Sequence, residues 1–268
     1  MPATIPYPMA RHRSDKPAIC AITFDLDDTL WDIWPIIARA EEHLHDWLKD
    51  HYPKVPERFS SLELRQLCAE IALQQPKMAH DRTLLRKEAL RLAAGQASYS
   101  EFHVDAAFEV FITARNEVVF FEEVLVVLER LSRGYSLGAL SNGNADVRRI
   151  GLDRFFAFAI NAVDVGAAKP EPAMFEAACR YLKLSPGQIV HVGDDPEHDV
   201  LGAARAGLHT VWVNRQGRDW PDGERADAEI KTLAELEAIV ERWNSSTPPP
   251  QRLPADRKSA WRLRDGRG

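Results

Sequence analysis

Short apolar runs that each end in polar residues most constrain the fold of this 268-residue chain. The first run, Ala18 to Asp25, is almost continuously apolar, which is typical of a strand buried on both faces of a parallel sheet. Similar runs recur in the second half of the chain, and one of them is weaker than the others. They are Tyr135 to Asn142, Gln188 to Asp194, His209 to Asn214 and the weaker Phe158 to Ala162.

Helical patterns separate these runs. Glu122 to Arg133 repeats apolar residues at helical spacing, and Ala173 to Leu182 follows Pro172, a favourable first residue for a helix. Strands that alternate with helices predict right-handed crossovers and a parallel sheet flanked by helices. The predicted fold class is therefore α/β, and a last helix from Leu233 to Trp243 closes the predicted core.

The interval from Trp34 to about Arg115 breaks this alternation, because it has helical patterns and no convincing strand. Its helical segments are Ile36 to Lys49, Ser61 to Gln74, Thr83 to Ala94 and Glu101 to Ala114. We predict an all-helical insertion at residues 33–115 and a core formed by residues 1–32 and 116–243. Residues 244–268 contain three consecutive prolines and six basic residues, which favours a disordered tail.

The composition argues against several classes of protein. A formal net charge of −6 gives no electrostatic reason to expect a nucleic acid or an anionic membrane as a partner. The longest uncharged apolar stretch, Ala18 to Phe24, is far shorter than the ~20 residues that cross a bilayer. Three widely separated cysteines form no zinc-ligand spacing. We expect a cytoplasmic protein, and its oligomeric state stays open.

Two acidic residues follow the first apolar run. Asp25 and Asp27 are two residues apart, so an extended chain places both on the same side. At ~4 Å their repulsion could reach about 4 kcal/mol at an effective dielectric constant of 20. A hard cation with oxygen ligands, such as Mg²⁺, is therefore the expected partner. The alternative is an acidic turn that caps a helix through Asp28 or Thr29.

The later runs end in further polar residues. The second run ends in a hydroxyl and an amide before a flexible Gly143-Asn144 turn whose backbone N–H groups can face an anion. A lysine follows in the segment AAKPEP. The run from Gln188 to Asp194 ends in acids. These residues are Ser141, Asn142, Lys169, Asp194, Asp195 and Asp199. Each alone fits a plain structural reading as a turn, a solvated charge or an acid in a first helical turn.

Taken in order, these residues form one constellation at the carboxyl edge of a sheet, where open α/β folds bind ligands. The motifs DLDDT, LSNGN, AAKPEP and VGDDPEHD resemble the four motifs of the haloacid dehalogenase (HAD) superfamily, in the right order from Asp25 to Asp199. The resemblance implies a Rossmann-like core, a helical cap that closes over the site, a magnesium cofactor and hydrolysis of a small phosphorylated metabolite.

The resemblance also implies roles for individual residues. Asp25 is similar to the nucleophile that forms an aspartyl-phosphate, Asp27 to the general acid and base, and Ser141 and Lys169 to the residues that hold the phosphate. The implied magnesium ligands are the Asp25 carboxylate, the Asp27 backbone carbonyl and the Asp194 carboxylate, supported by Asp195 or Asp199. The second acid, Asp27, separates phosphatases from dehalogenases, which typically lack it.

Residues near the insertion are candidates for substrate contact. Trp31 and Trp34 could stack on a heterocycle, and packing at the hinge is the alternative. His80 and Arg82 start a predicted helix beside Asp81, which could simply be its N-cap. Together with the core motifs they resemble the bacterial branch that dephosphorylates flavin mononucleotide (FMN) and a phosphorylated ribitylaminouracil of riboflavin synthesis.

Three other functions remain open at this point. A sugar-phosphate or nucleotide phosphatase and a sugar-phosphate mutase would share the same core. A non-catalytic module that binds a phosphometabolite would share the architecture, although all four core positions hold chemically competent residues.

Overall fold

A computed structural model describes residues 17–221 and 223–245. Its centre is a six-stranded sheet in which every pairing is parallel. The strands are β1 (Ala21–Phe24), β2 (Ser136–Ser141), β3 (Phe156–Asn161), β4 (Ile189–Gly193), β5 (His209–Val213) and β6 (Ala228–Ile230). Their order is β3-β2-β1-β4-β5-β6, so the first strand lies in the middle. The predicted α/β fold with a parallel sheet is confirmed.

Helices cover the sheet on both faces. They are α6 (Val124–Gly134), α7 (Ala162–Val165), α8 (Ala173–Leu182), α9 (Gly202–Arg205) and α10 (Leu236–Asn244). One apolar cluster contains residues of α6 and α10, and another contains residues of α8 and α9. A π-helix at Pro196–Leu201 leads into α9. Apolar residues cover both faces of β1, which explains its continuous run of buried side chains.

The predicted insertion is helical throughout. Residues 33–115, all of which the structure describes, contain helices and turns and no strand. The helices are α1 (Ile33–His51), α2 (Lys54–Arg58), α3 (Ser61–Gln74), α4 (Arg82–Gln96) and α5 (Val104–Arg115). Helix α1 contacts α5, and α3 contacts α4. Most of their buried residues form two apolar clusters of their own, while Ile36 of α1 packs in a cluster around the sheet.

The helix starts have ordinary physical causes. The Ser60 hydroxyl accepts from the Glu63 N–H while the Glu63 carboxylate accepts from the Ser60 N–H, which completes a capping box before α3. The Asp81 side chain accepts from the Leu84 N–H, so Asp81 is the N-cap of α4. This is the structural role that the sequence analysis gave as the alternative for Asp81.

The chain described by the structure ends just after α10. Asn244 belongs to this helix, and its side chain accepts from the Ile19 N–H at 2.8 Å and donates to the Ile19 carbonyl at 3.1 Å. Asn244 therefore joins α10 to the segment before β1 and is not part of a tail. The remainder of the predicted tail, residues 246–268, lies outside the described residues. Among the described helices, none combines the length and apolar character that a membrane crossing requires.

Candidate active site

Three neighbouring strands bring their carboxyl ends to one edge of the sheet. Asp25 follows β1, Ser141 ends β2, and Asp194 follows β4. The Asp25 N–H donates to the Val192 carbonyl on β4 at 2.9 Å, which extends the hydrogen-bond ladder of the sheet to Asp25. Asp25 and Ser141 are both buried. The topology thus places residues more than a hundred positions apart at the same edge, as expected for an open α/β sheet.

Lys169 lies at the centre of this edge. Its Nζ donates to Asp25 Oδ1 at 2.6 Å, to Asp199 Oδ1 at 2.6 Å and to the Leu140 carbonyl at 2.7 Å. An ammonium has three donors, and all three are used. The side chain is only 1% exposed, so its contacts are fixed by the core. Lys169 is therefore a buried link between two carboxylates and not a solvated surface charge.

The side chain of Asn142 holds the backbone of Lys169. Its Oδ1 accepts from the Lys169 N–H at 2.7 Å, and its Nδ2 donates to the Lys169 carbonyl at 2.9 Å. Both polar groups of the amide are thus occupied within the protein. The Asn142 side chain therefore positions the lysine, and its contact with substrate stays a prediction.

The turn after β2 is tight. The Gly143 N–H donates to Ser141 Oγ at 3.0 Å. A Cβ at Gly143 would lie 2.7 Å from Asp27 Oδ2 and 3.3 Å from Ser141 Oγ, so a larger residue would collide with the carboxylate. The absence of a side chain lets Ser141 and Asp27 lie on either side of this turn.

Burial and charge set the protonation of the central cluster. Burial alone would lower the pKa of Lys169, but the adjoining Asp199 and Asp25 outweigh burial and raise it. Burial also acts on Asp199, yet Lys169 and the hydrogen bond from His191 hold its pKa well below the usual range. For Asp25, burial and two neighbouring carboxyl groups outweigh Lys169 and raise the pKa. More positive charge near Asp25 would favour its carboxylate form.

The acidic cluster fits a divalent cation. Asp25, Asp194 and Asp199 each bring a carboxylate oxygen within 4.8 Å of the others. Burial, with Asp199 and Asp28 nearby, raises the pKa of Asp194 to about 7. Carboxylate oxygens are ligands that Mg²⁺ prefers, and a cation would offset the burial and the mutual repulsion that raise the pKa values of Asp25 and Asp194. The Asp27 backbone carbonyl as a further ligand stays a prediction.

The two candidate supporting acids differ in position. Asp199 is 2% exposed, and its Oδ2 accepts from the Asp195 N–H at 3.0 Å. The Asp195 side chain points elsewhere: it accepts from the N–H groups of Glu197 and His198 and caps the helical turn at Pro196. Of the two, Asp199 lies within the cluster and Asp195 is an N-cap.

The carboxylate of Asp27 is paired with an arginine side chain. Arg115 Nη2 donates to both Oδ1 and Oδ2 of Asp27 at 2.7 Å, and the Trp31 Nε1–H donates to Oδ1 at 2.9 Å. We expected a metal between the carboxylates of Asp25 and Asp27. In the structure a guanidinium pairs with the Asp27 carboxylate while Lys169 contacts Asp25, and a metal ion beside these acids stays a prediction. Sequence analysis missed Arg115, since an arginine at the end of a predicted helix carries no signal of its own.

The two tryptophans lie in different environments. Trp31 is fully buried, and its ring contacts Phe120 edge to face with centroids 5.8 Å apart. It offers no face to a ligand, so the expected stacking at Trp31 is corrected to packing and a hydrogen bond to Asp27. Trp34 is 63% exposed, and the Arg65 guanidinium lies 5.8 Å from its ring centroid. Substrate contact at Trp34 stays a prediction.

Two cavities adjoin the site and share Arg82, Gly143 and Asn144. The first, of about 410 Å³, is also lined by His80 and Thr83. The second, of about 300 Å³, lies against Asp27 and is lined by three further arginines, Arg65, Arg86 and Arg115. His80 and Arg82 therefore line space beside the site.

Comparison with known proteins gives the class of this chain. Residues 19–207 match the model of the haloacid dehalogenase-like hydrolase family. This match covers well over half of the sequence. The chain belongs to the haloacid dehalogenase-like hydrolase family, as its four motifs indicated.

Individual proteins and solved structures are similar to most of this chain. The chain is 31% identical over 230 residues to the 5-amino-6-(5-phospho-D-ribitylamino)uracil phosphatase YigB of Escherichia coli (strain K12), covering 83% of this chain and 96% of the relative. It is 41% identical to a structure described as 2-haloacid dehalogenase from Pseudomonas syringae pv. Tomato DC3000, with a TM-score of 0.79, covering 84% of this chain and 99% of that one. A HAD phosphatase structure from Thermococcus onnurineus is 28% identical with a TM-score of 0.61, covering 83% and 98%.

Proposed function

We propose that this chain is a magnesium-dependent phosphatase in which Asp25 attacks the phosphorus of a small phosphorylated metabolite. The observation that carries the proposal is the cluster of Asp25, Lys169, Asp199 and Asp194 at the carboxyl edge of the sheet. Family membership and curated relatives named as phosphatases support hydrolysis of phosphate monoesters. We propose in addition the magnesium ion, Asp25 as the nucleophile and the identity of the substrate.

The proposed roles follow from the charges of the chain's own residues. Lys169 holds Asp25 Oδ1, which orients the other oxygen of this carboxylate for attack. The Lys169 charge would offset that of the phosphate, and the Ser141 hydroxyl would donate to one of its oxygens, since phosphoryl transfer depends mainly on positioning and electrostatics. Mg²⁺ held by the Asp25 and Asp194 carboxylates and the Asp27 carbonyl would supply the missing positive charge. Asp25 forms the bond to phosphorus as the bond to the leaving oxygen breaks.

Asp27 is proposed to move the protons. It gives a proton to the leaving oxygen and then takes one from the water that attacks the aspartyl-phosphate, which frees Asp25. Both of its carboxylate oxygens contact Arg115 in the structure. Proton transfer therefore requires one Asp27 oxygen to exchange Arg115 for the leaving group or the water.

The helical region is proposed to act as a cap over the leaving group. We assign residues 33–115 to the cap and residues 1–32 and 116–243 to the core. Arg115, the last residue of α5, reaches from the cap to Asp27 in the core. The two cavities that share Arg82 lie between these parts and give the leaving group a place.

The substrate proposal is ribitylaminouracil phosphate or FMN, which would place the enzyme in riboflavin synthesis. The motif resemblance and the activity for which the Escherichia coli relative is named support it. Because Trp31 is buried, ring recognition falls to Trp34 or to the cavity lined by His80 and Arg82. A guanidinium can donate to ring carbonyl oxygens or lie flat on a ring.

Dehalogenation is a second candidate, because a structure described as a 2-haloacid dehalogenase is 41% identical to this chain. Its reaction would release halide from a haloacid. The acid at Asp27 argues for phosphate esters, since a leaving halide needs no proton. Halide release from 2-chloropropionate, measured beside phosphate release, separates the two reactions.

The test is a panel of phosphorylated metabolites assayed for inorganic phosphate with Mg²⁺ and, separately, with a chelator. The panel contains ribitylaminouracil phosphate, FMN, sugar phosphates and nucleotides. We expect phosphate release that requires Mg²⁺ and is fastest with the first two compounds. Return of the phosphoryl group to a sugar indicates a mutase, and binding without turnover indicates a non-catalytic module. Higher kcat/KM for simple sugar phosphates overturns the riboflavin assignment alone.

A further inference from the structure

Two buried polar residues lie beneath the site with no role in the reaction described above. Thr23 on β1 and His191 on β4 are register partners on adjacent strands. Thr23 Oγ1 and His191 Nδ1 are 2.9 Å apart, and His191 Nε2 is 3.2 Å from Asp199 Oδ1. All three residues are at most 2% exposed. They form an unbroken chain of hydrogen bonds that ends at the acid shared with Lys169.

The carboxylate at one end, together with a neutral imidazole, fixes the direction of this chain. The Asp199 carboxylate can only accept, so the proton between it and His191 must be carried by Nε2. Burial lowers the pKa of His191, which favours the neutral ring. A neutral ring with a proton on Nε2 has a lone pair on Nδ1, and the Thr23 hydroxyl is there to donate to it. The competing acceptor for that hydroxyl, the Val190 carbonyl, is farther away at 3.4 Å.

The position of Asp199 matters because it shares Lys169 with Asp25. The lysine Nζ lies 2.6 Å from an oxygen of each carboxylate. Close packing leaves Asp199 little room, since a Cβ at Gly193 would lie 2.3 Å from Asp199 Cγ. The Phe175 ring contacts the His191 ring edge to face, with ring centroids 5.2 Å apart, and packs against one side of the imidazole. A turn of the Asp199 carboxylate would draw Lys169 away from Asp25.

We infer that Thr23 and His191 are positioning residues: the Thr23 hydroxyl fixes the tautomer of His191, and His191 Nε2–H orients Asp199 so that Lys169 holds Asp25. The inference rests on the proposed function for its effect on the rate. The claim that Thr23 fixes the tautomer of His191 is independent of any substrate.

The test compares Thr23→Val, which keeps the shape and removes the hydroxyl, with Thr23→Ser, which keeps the hydroxyl. With p-nitrophenyl phosphate and saturating Mg²⁺, we expect Thr23→Val to lower kcat about tenfold with little change in KM, the equivalent of one hydrogen bond. Thr23→Ser restores the rate. The control is Thr210→Val on β5, an equally buried threonine whose partner is Asp227, and it leaves kcat unchanged.

Nitrogen NMR of His191 supplies a readout that loss of packing would not give. We expect the proton on Nε2 in the wild type, a changed tautomer population in Thr23→Val, and the wild-type tautomer in Thr23→Ser. A proton on Nδ1 in the wild type overturns the inference, and so does an unchanged tautomer or an unchanged kcat in a folded Thr23→Val. A wild type that turns over no phosphate ester overturns the proposed function instead, and the NMR result still decides the tautomer.

Discussion

At the residue scale, the site depends on how one lysine is shared. Lys169 contacts two acids, but the pKa values shift in opposite directions, down for Asp199 and up for Asp25. Burial would raise the pKa of Asp199, but Lys169 and the hydrogen bond from His191 outweigh it, whereas burial and two neighbouring carboxyl groups raise the pKa of Asp25. A further cation beside Asp25 would favour its ionised form, which is the physical reason to expect a metal there.

The raised pKa of Asp194 predicts how metal-free protein responds to pH. A carboxyl group with a pKa of about 7 in the folded chain and near 3.8 when unfolded retains a proton that the unfolded chain releases. Its contribution to the free energy of unfolding therefore falls as pH rises through that window, on the order of 2 kcal/mol from about pH 5 to 7. Denaturation in chelator measures it, and Mg²⁺ should reduce the fall.

Comparison with Asp194→Asn isolates this residue from other titrating groups. His191 has a lowered pKa and acts with the opposite sign, because its stability contribution rises with pH. The asparagine variant should lack the Asp194 contribution, so its stability should fall less between the two pH values. Identical pH profiles for the variant and the wild type would contradict the assigned shift.

Sequence could predict Asp25, Lys169 and Asp194, because each follows a strand or precedes a helix at a known edge of the sheet. It could not predict that Arg115 neutralises Asp27. These two residues are 88 positions apart, and only the packing of α5 against the core joins them. The burial of Trp31 could not be predicted either, since the sequence does not show which side chains at a hinge are covered by neighbouring elements.

At the element scale, the long helices and buried strands followed from their periodicity, and the short elements did not. Helices α3 and α8 have the bounds that the pattern predicted, Ser61–Gln74 and Ala173–Leu182. Helix α2 has five residues and β6 has three, which is too short for a repeat to show. The helical region meets the sheet region at the site in more than one place: Thr83 on α4 accepts from Asn144 Nδ2 at 3.3 Å, and Arg115 at the end of α5 links to Asp27.

Replacing Arg115 by methionine tests that link. The change keeps much of the side-chain volume but leaves Asp27, which is 25% exposed, without its cation. We expect a loss of about 1 to 3 kcal/mol in the free energy of unfolding and a larger fall in kcat for alkyl phosphates than for p-nitrophenyl phosphate. Only the alkyl leaving group needs a well-placed proton donor. An equal fall for both substrates would argue against a role through Asp27.

Replacing Arg82 by glutamine tests the cavities. Arg82 lines both of them and starts α4. We expect KM for the natural substrate to rise about tenfold while kcat changes little. A tenfold rise corresponds to the binding free energy lost with one hydrogen bond from a charged group. The matched control is Arg91→Gln on the same helix, where the arginine contacts Glu88 and lines neither cavity. A similar KM in all three proteins would remove Arg82 from the leaving-group site.

At the scale of the whole molecule, the sheet carries the chemistry and a separate helical cluster lies over its carboxyl edge. The catalytic candidates all precede α10, which joins the start of β1 through Asn244. Ending the chain after Ser245 should therefore leave kcat/KM within about twofold of the full chain. Asn244→Ala, in contrast, should lower the free energy of unfolding by about 1 kcal/mol. A large loss of turnover on truncation would assign residues 246–268 to the site or to an assembly.

The central claim is that Asp25 carries the phosphoryl group, and a quenched single turnover tests it directly. Enzyme in excess over substrate is mixed with Mg²⁺, denatured in acid before turnover is complete, digested and examined by mass spectrometry. We predict a phosphoryl group on the peptide that contains Asp25, none in the chelator control, and no phosphate release from folded Asp25→Asn. Steady phosphate release by the wild type with no phosphorylated Asp25 peptide, together with turnover by Asp25→Asn, would contradict the account.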